Sequence, residues 1–251
     1  MSELTITVDA ATGVVLLEAP DRVPQRVRAD LTRLLGPGEE SGCARPLRLL
    51  PPPLVEDKDV AAHLCVRTAG YAHNSLTDGP GRRTSVLLSG CTLACAGCWV
   101  PHLHAPAAGA LVPVEVLAGA LLDAAHERDG VSILGGEPFQ QPEGLLGLVQ
   151  ALRARGCRHI LAYSGYTYER LRRIATQQPA ICAVLDEIEM LVDGPYVEAL
   201  AGGAGPWTGS GNQRVIDLVA TRRRGVVVHW RDGHRWSRWR STGAGGYASP
   251  T

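Results

Sequence analysis

Phenylalanine is nearly absent from this 251-residue sequence, Phe139 being its one instance, and Lys58 is the one lysine among 25 basic side chains. That bias reads as codon usage and carries no chemistry. Net charge is absent too, with 25 Lys plus Arg balanced by 25 Asp plus Glu. The overall field therefore gives no reason to expect nucleic acid or a charged membrane surface as chief partner. No apolar run approaches the roughly 18 to 20 residues of a membrane span, and the N-terminus lacks the basic-then-apolar order of a signal peptide. A cytoplasmic protein is expected. A disulfide framework is disfavoured as well, because the seven cysteines are odd in number and three of them fall within eight residues. That pattern suits a metal site in a reducing compartment.

What is present suffices for one main core with additions, since 45% of the residues are hydrophobic. Charge is unevenly spread: residues 1–62 hold ten acidic and seven basic side chains, whereas residues 214–251 hold eight Arg and two Asp. The opening reads as strand, turn and strand (Leu4 to Val8, Val14 to Glu18), then a helix near Pro24 to Leu35, with Pro51 to Pro53 as an extended linker. Residues 1–62 are thus expected to form a small α+β extension. From residue 83 short apolar strands alternate with helical stretches. Strands are expected at Thr84 to Ser89, Val131 to Leu134, His159 to Tyr163 and Glu189 to Val192. Helices are expected at Val114 to Arg128, Pro142 to Arg155 and Thr167 to Thr176. This is the α/β class with parallel βα units, whose functional groups gather at the C-terminal strand ends. Each such end carries something notable: Cys91, then Gly135-Gly136-Glu137-Pro138, then Ser164-Gly165, then Asp193-Gly194. Residues 63–218 are read as the core and 219–251 as a basic tail, with a hairpin around Arg231-Asp232-Gly233.

Cys91-x3-Cys95-x2-Cys98 sets three thiols in a tight loop directly after a strand. A four-iron cluster has four corners and takes cysteine thiolates, so three leave one iron open. A structural zinc site is the other reading of the spacing, and His102 or His104 would then complete it.

The stretch Asp78-Gly79-Pro80-Gly81-Arg82-Arg83, then Leu88-Ser89-Gly90-Cys91 and the loop through Gly97, Cys98 and Trp99, resembles the radical S-adenosylmethionine superfamily. Within it the resemblance is to the glycyl-radical-enzyme activases, the anaerobic ribonucleotide reductase activating type in particular. It continues through Gly135 to Pro138, Tyr163 to Thr167, Leu191 to Tyr196 and Gly209 to Arg214, covering roughly residues 70 to 218. Leu87 stands where the family usually has Phe. The resemblance implies a partial (β/α) barrel of the radical SAM type, with the N-terminal α+β extension and C-terminal hairpin tail as additions. It also implies a 4Fe-4S cluster on Cys91, Cys95 and Cys98, S-adenosylmethionine as second cofactor, and its reductive cleavage to a 5'-deoxyadenosyl radical. The implied partners are a glycyl-radical enzyme and a flavodoxin- or ferredoxin-type electron donor, with neither membrane nor nucleic acid involved.

Among the residues, Gly135 and Gly136 let backbone approach a ligand closely, and Glu137 is an acceptor for the cofactor ammonium; Gly135 to Pro138 also reads as a plain strand-ending turn. Ser164 either bonds the ribose or carboxylate or caps the helix near Thr167. Asp193 faces a cation, the cofactor or the substrate, or simply forms a turn before Gly194. Trp99 covers the cluster, stacks on the adenine, or only packs. Arg83 anchors the Asp78 to Gly81 turn or a nearby carboxylate. Cys43, Cys65, Cys157 and Cys182 lack ligand-like spacing and read as structural thiols. Three functions follow: an activase of a glycyl-radical enzyme, a radical enzyme acting on a small metabolite or peptide, and a noncatalytic metal module. The ammonium-binding rim speaks against the last.

Overall fold

The computed structural model describes residues 5–8, 15–18 and 49–230, apart from 57, 59, 61 and 62. The helix expected at Pro24 to Leu35, Cys43 and the second arm of the tail hairpin lie outside the described residues. The chain divides into Met1–Leu49 and Leu50–Thr251. In the first unit β1 (Thr5–Val8) pairs antiparallel with β2 (Val15–Glu18), Thr5 opposite Glu18.

The second unit is built on one seven-stranded sheet. Its strands in chain order are β3 (Cys65–Ser75), β4 (Arg83–Leu88), β5 (Ala110–Pro113), β6 (Gly130–Gly135), β7 (Ile160–Ser164), β8 (Met190–Asp193) and β9 (Arg214–Asp217). In space the order is β5-β3-β4-β6-β7-β8-β9. The middle four, β4-β6-β7-β8, run parallel and are the four strands expected from the sequence. Consecutive residues along them are buried, as in strands covered on both faces. β3, β5 and β9 add antiparallel edges, so the sheet stays open.

The helices are α1 (Val114–Leu121), α2 (Pro142–Ala154), α3 (Tyr168–Ile174), α4 (Pro179–Glu187) and α5 (Leu218–Arg224). They bury Leu117, Leu121, Leu145, Leu148, Leu152, Leu171 and Ile181 against Val86, Leu88, Val131, Ile133 and Ile160 of the sheet. The helix expected to reach Arg128 ends at Leu121. Beyond it the Asp123 carboxylate accepts the Ala125 N–H at 2.9 Å, a local turn that competes with helix continuation. α5 occupies the start of the expected tail, and Gly225 to Trp230 does not form the expected hairpin strand. Instead His229 bridges Ile216, and the Trp230 N–H reaches the Val215 carbonyl at 2.8 Å, lengthening the sheet edge beside β9. Among the described residues no helix is long and apolar enough to cross a membrane.

Register places chemistry on one rim. Leu88 lies opposite Gly135, and Ser164 opposite Asp193. Arg83 lies opposite Gly130 at the other end of β4. Six residues of strand, roughly 20 Å, thus separate the Asp-Gly-Pro-Gly-Arg-Arg stretch from the cysteine rim. Arg83 is fully buried there and donates to Pro80 O (3.3 Å), Ser132 Oγ (2.6 Å) and Val131 O (2.6 Å). Its expected turn-anchoring role is therefore met by carbonyls and a hydroxyl; none of these partners is a carboxylate. Asp78 accepts from Ser75 Oγ and Ser85 Oγ, both at 2.6 Å, so the turn is pinned to the base of the sheet.

Candidate functional site

β4 ends on buried Leu88, buried Ser89 follows, and Gly90 turns the chain out at φ +91°. The Cys91 N–H donates to the His104 carbonyl at 3.1 Å and the Cys98 N–H to the Cys95 carbonyl at 3.2 Å, closing a compact loop. Cys91, Cys95 and Cys98 are each half-buried and free. Gly97 sits at a left-handed φ of +69°, which favours glycine, with the exposed Glu198 carboxyl close by. Burial pushes the Cys91 thiol up, the Leu93 and Ala94 N–H groups oppose that, and the Glu137 charge adds to it. Trp99 is 75% exposed, its ring tilted against Tyr196 at 6.1 Å.

β6 supplies the adjoining ledge. A methyl on Gly135 would lie 2.4 Å from Leu88 O, and one on Gly136 would lie 2.5 Å from Gly90 O. The close backbone approach that these glycines permit is thus first to the end of β4, sealed by Gly136 N–H to Leu88 O (2.7 Å) and Glu137 N–H to Gly90 O (2.9 Å). Pro138 opens a single 3-10 turn, Pro138–Gln140, and is buried. Glu137 caps that turn from the Phe139 N–H (3.0 Å) and also accepts from Ser164 Oγ (3.0 Å) and the Gly165 N–H (2.7 Å). All of these donors are neutral. Only 1% of Glu137 is exposed, and burial pushes its carboxyl up to about 7, the hydrogen bonds from Phe139, Gly165 and Ser164 pulling the other way. Such a group holds either a proton or a cation.

Ser164 is buried and serves Glu137, while its oxygen accepts the Tyr166 N–H at 3.0 Å. The cap of α3 is Thr167, which accepts the Arg170 N–H at 3.3 Å. Asp193, wholly buried, takes the Arg214 Nε–H at 2.9 Å and the Tyr168 N–H at 2.6 Å. The cation it faces is therefore Arg214, which also grips Glu169 at 2.8 Å and holds that carboxyl well down, to about 2. Cys91, Glu137 and Ser164 come together on one rim; Asp193 joins it through the backbone of α3, and Trp99 leans outward.

Sequence reasoning missed the residues that lock this rim. Gln141 accepts the Arg67 N–H at 2.7 Å and donates to Ser89 O at 3.0 Å, and Gln140 bonds Thr92 and Tyr166. Gln213 accepts the Gly209 N–H at 2.7 Å and donates to Gly194 O at 2.9 Å. That clamp gives the Gly209 to Arg214 stretch a physical role. The adjacent glutamines directly after the strand-end motif were the available signal.

Three free thiols on one loop suit a four-iron cluster, which takes one ligand per iron; held by them, it would keep one iron for an outside ligand. Among the described residues no three His, Cys, Asp or Glu side chains close around a point as a single ion requires.

The 4Fe-4S single cluster domain family matches residues 77–216. The anaerobic ribonucleoside-triphosphate reductase-activating protein of Escherichia coli K12 is 33% identical over 157 residues, 59% of this chain and 96% of that protein. Its Haemophilus influenzae counterpart is 32% identical over 57% of this chain and 92% of that protein. The pyruvate formate-lyase-activating enzyme of Clostridium pasteurianum is 34% identical over 39% of this chain and 43% of its own length. The chain belongs to the 4Fe-4S single cluster domain family, among the radical S-adenosylmethionine activating enzymes.

Proposed function

We propose that this chain installs a glycyl radical on a partner enzyme of the anaerobic ribonucleoside-triphosphate reductase kind, with Cys91, Cys95 and Cys98 holding the 4Fe-4S cluster. The observation that carries this reading is a free three-thiol loop beside a buried carboxylate, Glu137, whose named donors are all neutral. Bound there, the cluster and S-adenosylmethionine supply an electron and a 5'-deoxyadenosyl radical, chemistry that no side chain can perform.

The chain's own part is to bind, orient and shield. Glu137 has four lone-pair directions and three donors, which leaves room for the cofactor ammonium. Gly135 to Pro138 forms the ledge that carries it, and Ser164 keeps the carboxylate aimed. Asp193 acts through Arg214 and α3, and exposed Trp99 serves contact with cofactor or partner. The electron comes from a flavodoxin- or ferredoxin-type donor. Residues 63–218 carry the catalysis, and 1–62 and 219–251 lie outside the matched family region, residues 77–216.

Anaerobic reconstitution is expected to give about four irons per chain, lost on replacing Cys91, Cys95 or Cys98 by Ala but kept in Cys157→Ala. Reduced enzyme, S-adenosylmethionine and a co-encoded partner should yield 5'-deoxyadenosine and a carbon-centred radical on the partner, read by electron paramagnetic resonance. Zinc in place of iron, or a small molecule consumed with no protein radical, would overturn the reading.

A further inference from the structure

We propose that α3 is the docking surface for the electron donor: exposed Arg170 and Arg173 receive a small acidic protein that carries one electron, beside the turn on which the cysteine loop rests. The inference rests on Cys91, Cys95 and Cys98 being the cluster ligands, and it names the donor's site within that reading.

Leu171 buries α3 in the main core, and Arg170, Arg172 and Arg173 around it are exposed. The acidic side chains nearby are already engaged. Glu169 is held by Arg214 through both carboxylate oxygens, at 3.1 and 2.8 Å. Arg172 leans toward α4, where it donates to Cys182 Sγ at 3.1 Å, and that sulfur lies 3.7 Å from the Asp186 carboxylate. Glu187, at the end of α4, lies 3.9 Å from Arg153. Among the described residues neither Arg170 nor Arg173 has a carboxylate at ion-pair distance. Three positions apart, the two share one helix face. Two exposed guanidinium groups without an anion of their own fit a surface rich in carboxylates, because opposite fields steer the encounter and fix its orientation.

Position makes this the donor's surface. α3 springs from the turn after β7, and the cysteine loop leans on that turn: a methyl on Gly165 would lie 2.4 Å from Leu93 Cδ1. The Tyr166 hydroxyl accepts from Gln140 Nε2 at 2.9 Å, and the same nitrogen donates to Thr92 Oγ1 at 2.7 Å. Above the Tyr166 ring, at 4.9 Å, lies the Arg170 guanidinium. Ring, amide and hydroxyl thus run unbroken from Arg170 to the residue after Cys91. A hydrogen atom is taken only at near-attack contact, so the glycyl-radical partner has to enter the rim itself. An electron crosses a few packed side chains, so its donor can stand to the side, on a helix that touches the cysteine loop. One electron leaves the reduced carrier, which is thereby oxidised, and reduces the cluster; no atom or proton is exchanged.

The test uses the reconstituted full chain and the low-potential ferredoxin or flavodoxin encoded in the same genome. Anaerobic stopped-flow absorbance follows cluster reduction by the pre-reduced carrier at low and high salt, and calorimetry measures binding of the oxidised carrier. The variants are Arg170→Glu/Arg173→Glu and, with the same change of charge on exposed residues at the opposite end of the sheet, Arg155→Glu/Arg158→Glu. The first should slow reduction and weaken binding about tenfold at low salt, the gap closing at high salt. The second should track wild type, and excess dithionite should reduce every variant to the same extent. Arg173→Glu alone carries the comparison if reversal at Arg170 disturbs the Tyr166 turn and lowers iron content. Equal slowing by the two double variants, no slowing by the α3 reversals at full iron content, or no binding of either carrier to the wild-type chain would overturn the proposal. A wild-type chain that takes up no cluster would instead overturn the ligand assignment on which it rests.

Discussion

A carboxylate as buried as Glu137, 1% exposed among neutral donors, is costly to keep ionised without a cation beside it. Its carboxyl, pushed up to about 7 chiefly by burial, therefore makes two expected marks. In the ligand-free protein the folded state keeps a proton that the unfolded chain loses near its ordinary value of 4.5. Stability from this group is full below about pH 4.5 and declines as pH rises through 7, by roughly 3 kcal/mol in all. Urea midpoints of wild type and Glu137→Gln should diverge in that window, and parallel curves would refute the buried-acid account. A bound cation favours the ionised form, so S-adenosylmethionine affinity should fall by up to about tenfold per unit below pH 7 and flatten in Glu137→Gln. Calorimetric titration across pH 5.5 to 8 reads this directly. At the opposite end of the sheet, Arg83 shows the converse: burial pulls its guanidinium down to about 10, and three oxygen acceptors hold it. Arg83→Met should cost roughly 3 kcal/mol in chemical denaturation by stranding Pro80 O, Val131 O and Ser132, with little change in iron uptake, because the turn it anchors lies far from the cysteine loop.

The segment joining β8 to β9 is held by side chains from its own far end. Gln213 ties Gly209 back to Gly194, Asn212 reaches Pro195 O at 2.7 Å, and Arg214 closes on Asp193 and Glu169. Its 3-10 turn, Glu198–Gly203, brings the Glu198 carboxylate against Gly97 of the cysteine loop. Breaking the clamp should therefore be felt at the cluster. Arg214→Gln leaves buried Asp193 without its cation, which should cost roughly 2–4 kcal/mol and speed amide exchange over residues 194–213. Asp193→Asn still accepts the Tyr168 N–H and should cost less. Equal losses from the two substitutions would argue against Asp193 and Arg214 acting as a pair. Why β3 escaped sequence reading is visible at this scale: it buries Thr68, Gly70 and Ala72, small side chains whose alternation carries little apolar signal.

At the scale of the molecule, the chain extends past the matched family region by α5 and the segment to Trp230. Trp230 packs on Trp207 at 4.7 Å, and both lie with Tyr163 and Val215 over Leu161, Met190 and Val192. Trp207 has a left-handed φ of +60°, which a side chain tolerates only when its surroundings hold it. Trp230→Ala should thus cost roughly 1–3 kcal/mol and loosen residues 205–213 in hydrogen exchange more than α2. Cutting the chain after Trp230 keeps this contact while removing four Arg and one Asp. If those charges speed encounter with an acidic partner, the cut should slow partner activation at low salt and converge with wild type at high salt. Unsalted and salted rates falling equally would point to a contact rather than steering.

The sequence by itself determined the cysteine loop, the strand-end motifs and the parallel βα core, because these depend on neighbours in the chain and on runs of apolar residues that only a covered sheet can bury. The tertiary structure alone decided what each rim residue touches. Gln140 meets Thr92 across 48 positions, Asp193 meets Arg214 across 21, and Glu198 comes up beside Gly97 from another strand's loop. Such partners are chosen by how helices and strands pack, and a hydrogen bond or a close backbone approach leaves no period in the sequence from which to read it.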